Sequence, residues 1–253
     1  MADWAWLQRW KTIMGKLHLV QDAAHEQRLL ASLCSAQRVT VLGFVNAHAM
    51  NLVAAKADYC QALASADVLL RDGAGMAILL RRLGLAPGLN MNGTDFIPKL
   101  LAAFNGRRVA FWGTREPYLS EAAERCEARY GVQVVSRHDG FAEVDIYLGL
   151  AQAQQPELIV LGMGMPKQEQ LAARLAALDS PCLIVCGGAI VDFLGGKVTR
   201  APHWVRRLNG EWLFRLFKEP RRLFARYVLG NPLFLLRALV YVKAPARRVR
   251  RRS

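Results

Sequence analysis

At 253 residues, 53% of them apolar, the chain is long enough to bury a sizeable core, either as one large α/β domain or as one domain of just under about 200 residues with a short appendage. Its five cysteines (Cys34, Cys60, Cys126, Cys182 and Cys186) are odd in number and form no CxxC pair, which excludes a disulfide framework and a zinc-ligand pattern and points to a reducing compartment. The formal charge of +14 belongs to one end: Lys197 to Ser253 carries 16 Lys+Arg against 2 Asp+Glu, so the first 196 residues are neutral as a block.

In chain order, Trp4 to Val20 interleaves aromatic and aliphatic residues with Arg9, Lys11 and Lys16, and predicts an amphipathic helix inside an N-terminal helical segment, residues 1–37. Asp3, the tryptophans and the missing small-residue cleavage site set this segment apart from a secretory signal. Strand-like runs follow at Val39–Val45, Val68–Leu70, Val109–Trp112, Val132–Val135, Leu158–Gly162 and Cys182–Cys186. Helical stretches at Ala47–Ser65, Gly75–Leu83, Thr94–Phe104, Glu116–Tyr130, Val144–Gln154 and Lys167–Leu178 separate most of them. Continuous apolar strands alternating with helices predict an α/β, Rossmann-like parallel sheet covered on both faces, spanning residues 38–196. Glycine punctuation at Gly195–Gly196 marks the boundary with a basic amphipathic appendage, residues 197–253. The longest apolar stretch there, Pro232 to Val242, contains Arg237 and falls short of the roughly 20 residues that cross a bilayer.

In such sheets ligands sit at the carboxyl ends of strands. Those ends read Asn46 with His48, Arg71-Asp72-Gly73-Ala74-Gly75, Gly113-Thr114, Asp139-Gly140-Phe141, Gly162-Met163-Gly164-Met165-Pro166-Lys167-Gln168-Glu169, and Gly187-Gly188 before Asp192. Gly162 and Gly164 predict close approach of backbone amides to a phosphate, with Pro166 at the first helical position. Each piece has a plainer reading: the glycines as turns, Asp72 as a helix cap, Asp192 as a solvated helix residue, His48 as a structural histidine. The functional reading rests on convergence, because several glycine-lined ends and two carboxylates fall on one sheet edge.

The basic end alternates its charges with large apolar residues such as Trp204, Trp212, Phe214, Phe217, Phe224 and Tyr227. That combination predicts a segment resting on an anionic membrane surface; nucleic acid would attract the charge without needing the aliphatic side chains. Arg215, Lys218, Arg222 and Arg226 fall in one helical arc, although Pro220 biases Glu219 away from helix and divides the face. No Asp-x-Asp pair, HExxH, Walker loop or GxSxG elbow occurs, which argues against a divalent-metal clamp, a zinc hydrolase, an NTPase and a serine hydrolase. A diphosphate ligand would then fall to amides, helix N-termini and arginines. A nucleotide-cofactor oxidoreductase on a similar sheet, and a nucleic-acid-binding protein using the Arg247–Arg252 cluster, stand as the alternatives.

Taken together, Asn46, Asp72-Gly73, Gly93-Thr94-Asp95, Gly164-Met165-Pro166-Lys167-Gln168-Glu169, Gly187-Gly188 with Asp192, Arg200-Ala201-Pro202, Glu211-Trp212 and Glu219-Pro220-Arg221-Arg222 with Arg226-Tyr227 resemble the WecB/TagA/CpsF glycosyltransferase family. The resemblance implies an inverting, metal-independent transferase without a cofactor. It would move a hexose-type sugar from a UDP-sugar to a polyprenyl-diphosphate-linked saccharide at the cytoplasmic membrane face, with homo-oligomerisation left open. It assigns Asp72 as catalytic base, Gln168 as a catalytic-pocket residue and Asn46 as the neighbour of Asp72. Asp192 and Gly140-Phe141 lie near the nucleotide base, with Gly73, Gly113, Gly162, Gly164 and Lys167 completing the nucleotide-sugar site. Asn90, Asn92, Asp95, Arg215, Arg222 and Arg226 would face the acceptor or the diphosphate. Phe44 and Asn90 stand where the family often has threonine and arginine, a variation similar to its xanthan-type exopolysaccharide branch, which implies a glucose-like donor; an N-acetylmannosamine donor is the alternative. Leu233–Ser253 lies beyond the matching arginines and is expected mainly to hold the membrane.

Overall fold

The computed structural model describes residues 4–202, 205 and 210–243, so Trp204 and the Arg247–Arg252 cluster lie outside the described residues. Helix α1 (Ala5–Lys16), strand β1 (Leu17–His18) and α2 (Ala23–Cys34) come first, followed by β2 (Thr40–Val45), α3 (Ala47–Ala55), α4 (Ala57–Ala64), β3 (Val68–Arg71) and α5 (Gly73–Arg82). Next are α6 (Gly93–Ala103), β4 (Arg108–Gly113), α7 (Tyr118–Tyr130), β5 (Gln133–His138), α8 (Val144–Gln154), β6 (Leu158–Gly162), α9 (Lys167–Leu175), β7 (Leu183–Cys186) and α10 (Ile190–Leu194). The basic end supplies α11 (Glu211–Lys218), α12 (Pro220–Phe224), a π-helical turn (Ala225–Leu229) and α13 (Gly230–Lys243).

The seven strands form one parallel sheet in the order β1-β3-β2-β7-β6-β4-β5, as an α/β fold requires. Side chains alternate between its faces: Val41 and Val45 of β2, Ala110 and Trp112 of β4, and Ile159 and Leu161 of β6 join one apolar cluster. Leu42, Phe44, Val109, Phe111, Leu158 and Val160 join the other. Both faces are therefore dry, which explains why these strands read as unbroken apolar runs.

Three local differences from the sequence reading have physical causes. The first helix stops at Lys16 because Leu17–His18 pairs with Leu69–Leu70 as an edge strand. The stretch Ala47–Ser65 is two helices, broken at Lys56, whose backbone is extended (φ −128°, ψ 116°). Pro166 precedes α9 rather than occupying its first helical position.

The basic end divides at Pro220 into α11 and α12, as the residue before a proline favours, and then turns back onto the body. The stretch expected mainly to hold the membrane packs, in its described residues 233–243, onto the body: Phe234 and Ala238 of α13 are buried in the main core. Trp10 of α1 meets Phe234 and Tyr241, each at 5.5 Å between ring centroids, while its Nε1–H donates to Met50 O at 2.8 Å. Asn51 of α3 binds α13 twice, donating to Gly230 O at 2.7 Å and accepting from Arg237 Nη1 at 2.9 Å. No described helix is long and apolar enough to cross a membrane.

Phe234→Ala should accordingly lower stability by about 3–5 kcal/mol, the range for emptying a buried aromatic site. Leu236→Ala, whose side chain is 62% exposed, should change it by about 0.5 kcal/mol or less. Chemical denaturation of the two variants beside the parent protein checks this; equal midpoints would mean that α13 is not part of the folded core.

Candidate active site

The carboxyl edge of the sheet holds two adjoining cavities. The smaller, about 320 Å³, is lined by the ends of β2, β3, β4, β6 and β7 and by the Gly140-Phe141 loop after β5. The larger, about 660 Å³, lies between the starts of α3 and α5 and the basic end, with Trp212, Leu213, Leu216, Val228 and Leu235 on its apolar wall. Asn46, Asp72, Asn92, Arg215 and Arg226 line both.

Asp72 therefore stands where the two cavities meet. Its backbone N–H continues the ladder to Val45 O at 2.9 Å, fixing the end of β3 beside the end of β2. Asn46, the first residue after β2, uses both halves of its amide: Oδ1 caps α3 by accepting from Ala49 N at 3.0 Å, and Nδ2 donates to Asp72 Oδ2 at 3.0 Å. The Asp72 carboxylate makes no capping bond to α5; Asn90 Oδ1 accepts from Gly73 N at 2.7 Å instead. The loop carrying Asn90 is held from below by buried Arg71, which donates to Pro87 O (2.8 Å), Gly88 O (3.1 Å) and Gly73 O (3.0 Å). Asp72 is thus spared the helix-cap role. Burial raises its pKa above the usual carboxylate range, opposed by the Asn46 hydrogen bond and by the charges of Arg226, Arg215 and Arg71.

On the other wall, buried Gln168 joins two loops. Its Oε1 accepts from Gly164 N at 3.1 Å and Gly188 N at 2.9 Å, and its Nε2 donates to Glu169 Oε1 at 2.8 Å. Both glycines have positive φ (78° and 62°), a conformation that favours glycine. The Gly164 amide expected to meet a phosphate is thus committed to Gln168, and Gln168 acts on the cavity by shaping its loops. Gly162 lines the cavity, whereas Gly113 serves packing: a Cβ there would lie 2.4 Å from Gly162 C.

At the far end, Gly140 and Phe141 line the smaller cavity, and Arg115 Cζ lies 4.3 Å from the Phe141 ring centroid. Asp192 accepts from Thr114 Oγ1 and, at 3.0 Å, from Lys197 Nζ, so it is an engaged cavity residue rather than a solvated one. Asn92 caps α6 through Asp95 N at 2.9 Å, and Asp95 is bound by Arg200 and lines neither cavity. Lys167 also points elsewhere, donating to Ala142 O at 3.4 Å. Arg222 has its side chain outside the described residues. His48 lines the larger cavity and is held neutral, its pKa pushed down to about 4 by burial and then by the charge of Arg226.

Thr114 and Lys197 were not among the sequence-derived site residues. Thr114 was visible as the residue after Gly113 at a strand end. Lys197 was hidden at the domain boundary, where it counted only as the first charge of the basic end.

The Glycosyl transferase WecG/TagA/CpsF family model matches residues 16–248. The chain belongs to this glycosyltransferase family. It is 28% identical over 193 residues to a Bacillus spizizenii N-acetylglucosaminyldiphosphoundecaprenol N-acetyl-beta-D-mannosaminyltransferase, covering 75% of this chain and 74% of the relative. It is 25% identical to proteins of the same description from Bacillus subtilis (72% of each chain) and Staphylococcus aureus strain MW2 (70% of this chain, 72% of the relative). The family resemblance drawn from the motifs is thereby borne out, as is its enzymatic class. The relatives named are mannosaminyltransferases, and none of these names carries the xanthan-type branch suggested by Phe44 and Asn90. Asn90 is spent on Gly73 N, so its identity answers to the loop under Asp72 as much as to any sugar.

Replacing Asn46 by Ala withdraws the hydrogen bond that opposes the rise in the Asp72 pKa. The acidic limb of the pH–rate profile should then move to higher pH, and a limb unchanged from the parent would show that Asn46 does not tune Asp72.

Proposed function

We propose that this glycosyltransferase moves a sugar from a UDP-sugar to a polyprenyl-diphosphate-linked saccharide, with Asp72 as general base. The observation that carries this reading is the place of the Asp72 carboxylate at the junction of the two cavities. One, bounded by polar and glycine-rich loops, suits a nucleotide-sugar; the other, with an apolar wall, suits a saccharide on a lipid carrier. The acceptor hydroxyl gives its proton to Asp72 as its oxygen bonds to the anomeric carbon. The bond from that carbon to the UDP oxygen breaks, its electron pair leaves with UDP, and the configuration inverts. A raised carboxyl pKa makes Asp72 a stronger base than a surface aspartate. Arg215 and Arg226, lining both cavities, are placed to meet the charge on the departing diphosphate without a metal.

For the sugars, the names of the relatives favour N-acetylmannosamine as the transferred group and N-acetylglucosaminyl-diphosphoundecaprenol as the acceptor, over the glucose-like donor and exopolysaccharide role suggested by the sequence variants.

The membrane reading is supported by the outer surface of the basic end, where Phe217 is 78% exposed and Leu229, Leu233, Leu236 and Leu239 are also open beside exposed Lys218, Arg221 and Lys243. Apolar area flanked by cations matches an anionic lipid surface, and residence on the cytoplasmic face would put the larger cavity near a lipid-borne acceptor.

Asp72→Asn should lower kcat by roughly 100-fold or more while leaving UDP affinity almost unchanged, because the base acts on the acceptor. Assay with UDP-N-acetylmannosamine and a short-chain prenyl-diphosphate N-acetylglucosamine, read by mass spectrometry of the lipid product and run with and without EDTA, tests the scheme. Full turnover in a folded Asp72→Asn variant, or strict dependence on a divalent ion, would overturn it. Separately, Phe217→Ser with Leu236→Ser should weaken co-sedimentation with vesicles containing phosphatidylglycerol, yet leave turnover of the short-chain acceptor near the parent value.

A further inference from the structure

We propose that Glu169 is a positioning residue of the donor cavity: its carboxyl accepts the Gln168 amide N–H and so turns the amide oxygen to fasten the loops after β6 and β7 together. The inference rests on the reading of the smaller cavity as the UDP-sugar site.

The geometry begins with an ambiguity that every amide side chain carries. Gln168 can present either its oxygen or its NH2 to the backbone N–H groups of Gly164 and Gly188, and only the oxygen is compatible with two donors. Those two bonds, 3.1 and 2.9 Å, come from different loops, so the choice decides whether the loops close on a common point. Glu169 Oε1 lies 2.8 Å from Gln168 Nε2 and accepts its N–H, which fits the orientation that turns the amide oxygen to the two loops. Both side chains are buried, at 0% and 2% exposure, so water cannot substitute for either partner. Glu169 therefore works through Gln168 and the two loops.

The surroundings explain its charge state. Glu169 Oε2 and the Tyr59 hydroxyl are buried without a hydrogen-bond partner, a costly setting for an anion. The titratable groups facing it are Tyr59 of α4 and Cys186 of β7, both held neutral by burial. Strand β2 carries no titratable side chain, and Tyr147 of α8 is committed to Asp139 O and Ala142 N. Glu169 takes part in none of the ion pairs found among the described residues. Burial pushes its pKa up to about 7, against the Gln168 hydrogen bond. An anionic donor arriving on the far side of Gln168 opposes ionisation further, so donor binding and proton retention at Glu169 are linked.

The sign follows from that linkage. Well below pH 7 the carboxyl is protonated and adds little pH dependence. Above it, the free protein must take up a proton to bind, so affinity falls by up to about tenfold for each unit by which the bound nucleotide raises the Glu169 pKa.

The test uses the full chain with UDP as probe, in isothermal titration calorimetry from pH 6 to 8.5, in two buffers of different ionisation enthalpy. Titration of the UDP phosphate is common to all variants, so differences between them isolate Glu169. The parent should lose affinity more steeply with rising pH than Glu169→Gln and should take up more protons on binding near pH 7.5. Glu169→Gln, which still offers an oxygen to Gln168 Nε2, should bind UDP within about threefold of the parent at pH 6. Glu169→Leu should bind at least tenfold more weakly at every pH; should it fail to fold, the Gln variant and its proton count decide alone. Equal affinity, slope and proton uptake in parent and Glu169→Gln overturn this inference while leaving the donor site intact. No UDP binding by the parent protein overturns both.

Discussion

The hydrogen bond from Asn46 to Asp72 joins the ends of two neighbouring parallel strands, and the site is organised around it. One amide caps a helix, steadies the carboxylate and opposes its rising pKa. It can do so because β2 and β3 end in register, with Asp72 N bonded to Val45 O. Arg71, one residue earlier, anchors the loop whose Asn90 relieves Asp72 of capping α5. The Asp72 carboxylate is thereby relieved of helix capping and loop anchoring by three neighbours that take those duties on.

The basic end has a second dependence on the body. Its arginines line the cavities, and α13, which follows them, is packed into the same core that supports α3, through Trp10, Asn51 and Phe234. The division of labour expected from composition placed Leu233–Ser253 apart, since net charge and exposed leucines say nothing about which leucine-rich face turns inward.

Most of the sheet was legible because its strands are buried on both faces and read as continuous apolar runs. The edge pair Leu17–His18 was not, being too short to show any period. The family resemblance came through in the motifs, and Asp72 and Asn46 meet as those motifs implied. Lys167 and Asp95 share the same motifs yet point away from the cavities, because a motif records which residues occur together and not which way each turns. Gln168 was legible as a pocket residue; that its amide would be consumed by two loops and a buried carboxyl depends on contacts between β6, β7 and α9 that no local pattern carries.

The contact between Trp10 and Tyr241 also bears on how the enzyme is made. Its partners lie near opposite ends of the described chain, so during synthesis Trp10, which has Trp6 beside it within α1, waits for Phe234 and Tyr241 until α13 has left the ribosome. Arg215 and Arg226 emerge in the same late interval, so a nascent chain has its sheet and Asp72 before it has the two cations that line both cavities. A polypeptide interrupted upstream of α11 would carry Asp72 but lack these two arginines, and this order of emergence ties completion of the cavity walls to the arrival of the element that closes the core.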